Sequence, residues 1–411
     1  MAPSPSLPTQ IRTSFSASLA AEHITLYAAE HVSLATDDPR GLTQFVHVVP
    51  QLAEKPAVPP STPDLSKIQE GKRDVFAGPE FGEGEKICDL WEPADEEPAD
   101  GEQGEEGEGK ERRMYSLVHN LHALFPEHIM AIPHFPPTGS SSSRSPPSVP
   151  YEFRPQTSDL LPSDLAVAWR VVKSYAEEGR EAVCFFNGGP LAGASQAHLH
   201  LQFTPFQHSL PPACEALARS LPYPPPSPSS TSSPSSDLAR SEKLAARLPV
   251  PWVHFYLPLP SCLTSSSSAS SSSAREALFE TYQTLLATRT AYLSTLPESA
   301  LPPAGPKRES YNLFLTSSFM HLVPRTDRLV RVPRISSLSS ASEGEEGEED
   351  KEFTLSVNGL LFLSYFFVAS PEEAEDLRSY GLGRTLRGAG YANEEYREEG
   401  EGGNEGVRKA R

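Results

Sequence analysis

The sequence predicts an α+β fold, a largely antiparallel sheet with helices packed on one side of it. Three observations carry that expectation: nine short strand-like runs, only two long runs with helical periodicity, and intervening stretches too polar to bury a core. The strand-like runs are Thr43–Val49, Met114–His119, Ile129–Pro133, Glu181–Asn187, His198–Phe206, Val253–Leu257, Tyr311–Thr316, Phe319–Val323 and Phe353–Val368. The first helix is DLAVAWRVVKSYAEE, with Ser163 as its N-cap and Gly179 as the left-handed residue that ends it. The second runs from Arg275 to Leu296, with Leu278, Tyr282, Leu285, Leu286, Arg289 and Leu293 near helical spacing.

The stretches between these elements have a different chemistry. Residues 92–113 hold ten acids and three bases, 343–352 hold seven acids and one lysine, and 372–411 hold ten acids and seven bases. They carry −16 of the formal charge of −19, so the remaining chain is close to neutral. Three Ser/Pro tracts, 136–150, 224–236 and 258–273, read as linkers inserted into surface loops, which loop closure tolerates at little cost. All of these segments are expected to be disordered.

A net charge of −19 argues against a general nucleic-acid binder, which needs a basic footprint. The four cysteines (Cys88, Cys184, Cys214, Cys262) form no CxxC pair, which disfavours a cysteine zinc knuckle and a disulfide scaffold. The longest strongly apolar run, Gly359–Ala369, is about half of the ~20 residues that span a bilayer. The N-terminal stretch has no signal-peptide core, so a cytoplasmic location, extending to the nucleus, is expected, with no membrane partner.

The chemistry concentrates in Phe185–Phe206, FFNGGPLAGASQAHLHLQFTPF. An apolar strand breaks into a glycine-rich loop and resumes as an alternating strand. The period of two places His198, His200 and Gln202 on one face, and Leu199, Leu201 and Phe203 on the other. Gly188, Gly189 and Gly193 let successive amides approach an anion, and Ser195 and Gln196 add side-chain donors. A neutral imidazole fixed through one nitrogen can attack a phosphoryl group with the other, giving a covalent nucleotidyl-histidine. Loop amides then hold the charge that develops on the phosphate oxygens. The bland alternatives are two half-exposed strand histidines, or a zinc site on His-x-His. No clustered cysteine or third ligand accompanies the pair, and no metal is expected.

NGGPLAGASQAHLHLQ resembles the active-site segment of the ATP adenylyltransferases, the diadenosine tetraphosphate phosphorylases of the histidine-triad superfamily, of fungal type. TQFVHVVPQLAEKP is similar to that family's N-terminal strand ending in Lys-Pro, and YSLVHNLHALFPEHIMAIPHF to its strand–turn–strand around Pro-Glu-His. SYNLFLTSSFMHLVPR and FTLSVNGLLFLSYFFVAS resemble its C-terminal portion, so the likeness covers about residues 40–370 without the insertions. The resemblance implies a histidine-triad-like antiparallel sheet with a C-terminal adenylyltransferase portion. It implies phosphorolysis of diadenosine tetraphosphate to ADP and ATP through an adenylyl-histidine. His200 is then the nucleophile, flanked by His198 and Gln202. Asn187, Gly193, Ala194, Ser195, Gln196 and Gln202 contact phosphates and ribose. Lys55 and Asn120 reach the polyphosphate, with Tyr311, Asn312 and Met320 from the C-terminal portion. Hydrolytic branches of the superfamily carry a third histidine where this chain has Gln202.

The implied partners are dinucleoside polyphosphates, ATP, ADP and phosphate, handled by a monomer. No resident cofactor is implied; a divalent cation (Mg) would arrive with the nucleotide. Two departures stand out: Leu121 follows Asn120 where the family has lysine, and Ala197 precedes His198 where relatives have an acid. A uridylyltransferase of the same mechanism, a hydrolase and a catalytically weakened nucleotide-binding protein stay open as alternatives. His128 fits a structural role as well as a site role, and the run Arg325, Arg328, Arg331, Arg334 reads as a solvated or anion-attracting face.

The expected organisation is an N-terminal segment 1–40, partly disordered, and a catalytic unit 41–210 with insertions at 92–113 and 136–150. A Ser/Pro-rich linker region with a short strand follows at 211–275. A C-terminal unit spans 276–370 with an acidic insertion at 336–352, and a disordered acidic tail covers 371–411.

Overall fold

The structure is a computed structural model whose description covers residues 5–35, 42–54, 84–91, 114–134, 153–222, 245–264, 271–335 and 352–396. Its strands are β1 (Thr25–Leu26), β2 (His31–Ala35), β3 (Gln44–Val48), β4 (Lys86–Trp91), β5 (Met114–His119), β6 (His122–Ala123), β7 (Ile129–His134), β8 (Ala182–Gly188), β9 (Leu201–Pro205), β10 (Ala246–Arg247), β11 (Phe255–Pro258), β12 (Tyr311–Leu315), β13 (Phe319–Pro324), β14 (Leu329–Pro333), β15 (Glu352–Ser356) and β16 (Tyr365–Val368). The α-helices are α1 (Leu7–Ala20), α2 (Pro162–Glu177), α3 (Ala213–Ser220), α4 (Ser261–Thr264), α5 (Ser271–Ser294), α6 (Gly359–Phe362), α7 (Pro371–Tyr380) and α8 (Leu382–Ala389). No described helix is long and apolar enough to cross a membrane.

Nine strands form one sheet in the order β10-β11-β13-β12-β8-β9-β7-β5-β4, and every neighbouring pair is antiparallel. Strands from the expected catalytic unit (β4, β5, β7, β8, β9) and C-terminal unit (β12, β13) share this one sheet, and β12 pairs directly with β8. The site is therefore built within one sheet rather than between two units.

Alternation along the central strands divides the core. Cys184, Phe186, Leu199, Leu201, Phe203, Leu313 and Leu322 pack with α2 and α5, whose Val171, Val172, Leu278 and Leu285 are fully buried. Val183, Phe185 and Phe314 face the other way, onto the small sheet β16-β3-β2 and the helices α7 and α8. The expectation of helices on one side only is corrected accordingly. Both faces of the sheet are covered, which is why β8 is apolar at nearly every position.

Several local expectations are also corrected. Helix α2 starts at Pro162, after Leu161, not at a Ser163 cap. The Asp164 carboxylate accepts the Leu161 N–H at 2.7 Å, the Tyr115 hydroxyl at 2.7 Å and the Arg154 guanidinium at 2.9 Å, pinning the helix start to β5. Gly179 does take the left-handed conformation after the helix, at φ 71°. The run expected as one strand from Phe353 to Val368 is β15, α6 and β16. Asn358 breaks it by capping α6, its side chain accepting the Leu360 N–H.

The tail expected to be disordered from 371 is helical to Ala389 and packed to Tyr391. Ser370 caps α7, and Ala374, Leu377, Leu382, Leu386 and Ala389 form a buried stripe with the charges outside. Average composition hid that stripe, since amphipathic helices need only one apolar face. Residues 211–222 and 245–264, expected as linker, hold α3 and the packed segment Leu248–Phe255. Helix α1, which carries no strong periodic signal, buries Ile11 and Phe15. The acidic runs 92–113 and 336–351, the Ser/Pro tracts 136–150 and 224–236, and 397–411 lie outside the described residues.

Candidate active site

Strands β8 and β9 run side by side from Ala182–Phe185 against Gln202–Pro205 and then part. Between them, Gly188–Ala197 forms the glycine loop. The expected strand from His198 begins only at Leu201, and His198 is held by an isolated bridge to Pro155. Even so, Leu199, Leu201 and Phe203 enter the helix-side core as alternation requires.

His200 is fully buried. Its Nδ1–H donates to the His198 carbonyl at 2.8 Å, which leaves the lone pair on Nε2. Gln202 Nε2 donates toward that nitrogen at 3.4 Å, and Gln202 Oε1 accepts the His128 Nε2–H at 3.1 Å. Asn120 Nδ2 sits 3.3 Å from the same His128 nitrogen. The buried Glu127, at φ 58°, is held by Arg180 (2.7 Å) and Tyr175 (2.9 Å) and sets the turn that aims His128. His198 is also buried, edge-on to Phe153.

Burial lowers the His200 pKa to about 4; the bond to the His198 carbonyl opposes the shift and the His198 ring adds to it. Burial holds His119 at about 4 as well, and burial followed by His208 does so for His47. These rings stay neutral in the folded chain, whereas the unfolded chain takes up their protons near pH 6.5. Their contribution to stability is complete above about pH 6.5 and is lost as pH falls toward 4, by up to about 1.4 kcal/mol per pH unit for a fully buried ring. Urea midpoints are expected to fall over that range and to fall less steeply in His119→Gln. An identical slope in that variant would contradict the assignment.

The loop is shaped by close packing. Gly189 and Gly193 have φ of 88° and 85°, and a Cβ on Gly193 would lie 2.6 Å from the Val357 carbonyl. Asn312 Nδ2 donates to Ala192 O (3.0 Å) and to Asn187 Oδ1 (2.8 Å), which also accepts the Gly359 N–H (3.0 Å). Asn187 and Asn312 are thus buried and hold the loop to β12 and α6. Ser195 is exposed, and Gly193, Ala194 and Gln196 are half-buried at the rim. Leu121 is exposed beside Asn120.

The structure does not bring Tyr311 and Met320 to this face. Both point into the helix-side core, where the Tyr311 hydroxyl bonds that of Tyr282 at 2.7 Å. Strand parity decides this: Tyr311, Leu313 and Leu315 share one face of β12, Met320 lies opposite Leu315 on that face, and Asn312 points the other way. Lys55 lies outside the described residues. The arginine run is not one face either: Arg325 and Arg328 are buried, while Arg334 pairs with Glu373 and Asp376.

Two residues that support the loop and the His200 backbone were not assigned to the site from the sequence. Arg325 is fully buried and donates to Asn312 Oδ1 (2.5 Å) and to the carbonyls of Ala389, Asp327 and Val357. Gln156 lies in an aperiodic segment before α2 and touches the His200 backbone.

In a second buried cluster, Cys214, His254 and His321 bring ligand-type atoms within 4.8 Å of one another. Trp252 Nε1–H donates to His254 Nδ1 (3.4 Å), so the His254 proton sits on Nε2, 3.2 Å from His321 Nδ1. His321 Nε2–H then reaches Glu215 at 3.1 Å. A metal on His254 Nε2 would force a proton onto Nδ1, against the indole N–H. The cluster is a closed hydrogen-bond chain.

Fold and site together define a mixed helix-and-sheet protein with a neutral, buried imidazole that follows a glycine-rich loop. Two family models match the chain, the Ap4A phosphorylase N-terminal domain over residues 149–216 and the ATP adenylyltransferase C-terminal domain over 248–392. A relative from Saccharomyces cerevisiae, diadenosine 5',5'''-P1,P4-tetraphosphate phosphorylase 2, is 27% identical over 335 residues, covering 78% of this chain and 80% of the relative. Protein APA1 of the same yeast is 24% identical over 304 residues, covering 71% of each. Among solved structures, yeast Ap4A phosphorylase Apa2 shares the fold, with a TM-score of 0.60 at 22% identity over 94% of both chains. Its complex with Ap4A scores 0.58, covering 94% of this chain and 98% of that one. The chain belongs to the ATP adenylyltransferase family.

Proposed function

We propose that this protein is an Ap4A phosphorylase of histidine-triad type, working through an adenylyl-histidine on His200. The observation that carries the reading is the bond from His200 Nδ1–H to the His198 carbonyl, which leaves Nε2 unprotonated beside the loop. Nε2 attacks the α-phosphorus of one adenylyl group. The N–P bond forms, the P–O bond to the rest of the dinucleotide breaks, and ATP leaves with the electron pair on its phosphate. An oxygen of inorganic phosphate then attacks the same phosphorus, the N–P bond breaks, and ADP departs. Loop amides and the Gln202 carboxamide stabilise the charge on the phosphoryl oxygens. The family matches and the Ap4A-binding structural neighbour support the substrate class.

Phosphorolysis is favoured over hydrolysis by Gln202, whose carboxamide, tied to His128, cannot take a proton from water. Incubation with α-labelled Ap4A in phosphate-free buffer is expected to leave acid-labile label on the protein. Added phosphate should release it as ADP. Release as AMP without phosphate would mean a hydrolase, and absence of label would end the covalent reading. Repeating the assay with and without Mg tests whether a divalent cation enters with the nucleotide.

A further inference from the structure

Where β8 and β9 part, the backbone of His200 loses its ladder partner on the β8 side, since their pairing ends at Phe185 and Gln202. One side chain fills the gap. Gln156 is 4% exposed; its Oε1 accepts the His200 N–H at 2.8 Å. Its Nε2 donates to the Asn187 carbonyl at 3.1 Å and lies 3.4 Å from the His200 carbonyl. Its own backbone N–H donates to Ala197 O (2.7 Å) and its carbonyl accepts the Gly189 N–H (3.3 Å). Loop entry, loop exit and nucleophile converge on this residue.

We propose that Gln156 is the positioning residue of the nucleophile, its carboxamide replacing the missing rung between β8 and His200 and holding the imidazole at a set distance from the glycine loop. This deepens the reading of His200 as nucleophile and rests on it. A backbone rung here would draw the strands to about 4.8 Å. A carboxamide spans the wider gap and carries the required set, one acceptor for His200 N–H and donors for two carbonyls. Because the His198 carbonyl that fixes the His200 tautomer is two residues upstream, a shift of this backbone also disturbs that bond.

The test measures single-turnover formation of labelled adenylyl-histidine from Ap4A by the full chain. Gln156→Met is expected to slow it about 100-fold, the usual effect of misplacing a reacting group by ~1 Å. Gln156→Glu sets a carboxylate against the Asn187 and His200 carbonyls and should be equally slow near pH 8. By about pH 5.5, protonation restores one donor and one acceptor, and its rate relative to wild type should recover at least ~10-fold. His198 and His200 are the titratable side chains on the segments it bonds, and the wild-type ratio cancels their contribution. A Gln156→Met protein labelling at the wild-type rate overturns the proposal, as does a Gln156→Glu ratio flat with pH. Where Gln156→Met does not fold, the Gln156→Glu ratio alone decides. Wild type that takes no label at all refutes the His200 reading instead.

Discussion

His200→Ala is expected to take no label from α-labelled Ap4A and to lose turnover by at least about 10⁴-fold, the scale seen when a covalent nucleophile is removed. No neighbour replaces it. Gln202 offers an amide, which is not nucleophilic, and the His198 ring is buried edge-on to Phe153. Nucleotide binding should persist, because the loop is held by Asn187, Asn312 and Ser310, whose Oγ accepts the Leu191 N–H at 3.1 Å. In the wild type, the His200 pKa of about 4 keeps the ring neutral well below pH 6.5. The labelling rate should therefore show no acid limb near the ordinary histidine value. Label on the alanine variant, or a limb near 6.5, would refute the assignment.

Arg325→Ala is expected to destabilise the fold by about 3–5 kcal/mol, as for removal of one partner from a buried charged network. The guanidinium feeds four acceptors and lies 4.8 Å from the centre of the Phe362 ring. Burial lowers its pKa to about 9, opposed by Asp327, so it remains charged at neutral pH. Its removal leaves the Ala389, Asp327 and Val357 carbonyls and Asn312 Oδ1 without that donor, and opens a cavity. Arg325→Met fills the cavity but not the acceptors, so it should recover only part of the loss. Urea unfolding measures both, and a loss below about 1 kcal/mol for alanine would show that water replaces the donor at little cost.

The alternation of His198-Leu199-His200-Leu201-Gln202 was enough to assign its faces, because side chains on extended backbone alternate whatever the partner. Gly189 and Gly193 announced a loop with left-handed residues. Asn187 and Asn312 were expected to contact the substrate; in the structure they are buried and hold the loop. Tyr311 and Met320 were misplaced because one residue of register decides which face a side chain joins. The helices α7 and α8 were missed because a stripe such as Leu377, Leu382 and Leu386 is diluted among ten acids and seven bases.

By itself, the sequence determined the largely antiparallel sheet and the loop-then-histidine segment. These depend on periods of two and 3.6 and on residue chemistry, all local. Tertiary structure alone decided that β12 joins β8 in one sheet, that Gln156 spans the gap at His200, and that Arg325 lies buried behind Asn312. Each of these pairs residues from distant parts of the chain through directed hydrogen bonds. Such bonds exist only once burial has removed water and left each donor one acceptor within reach.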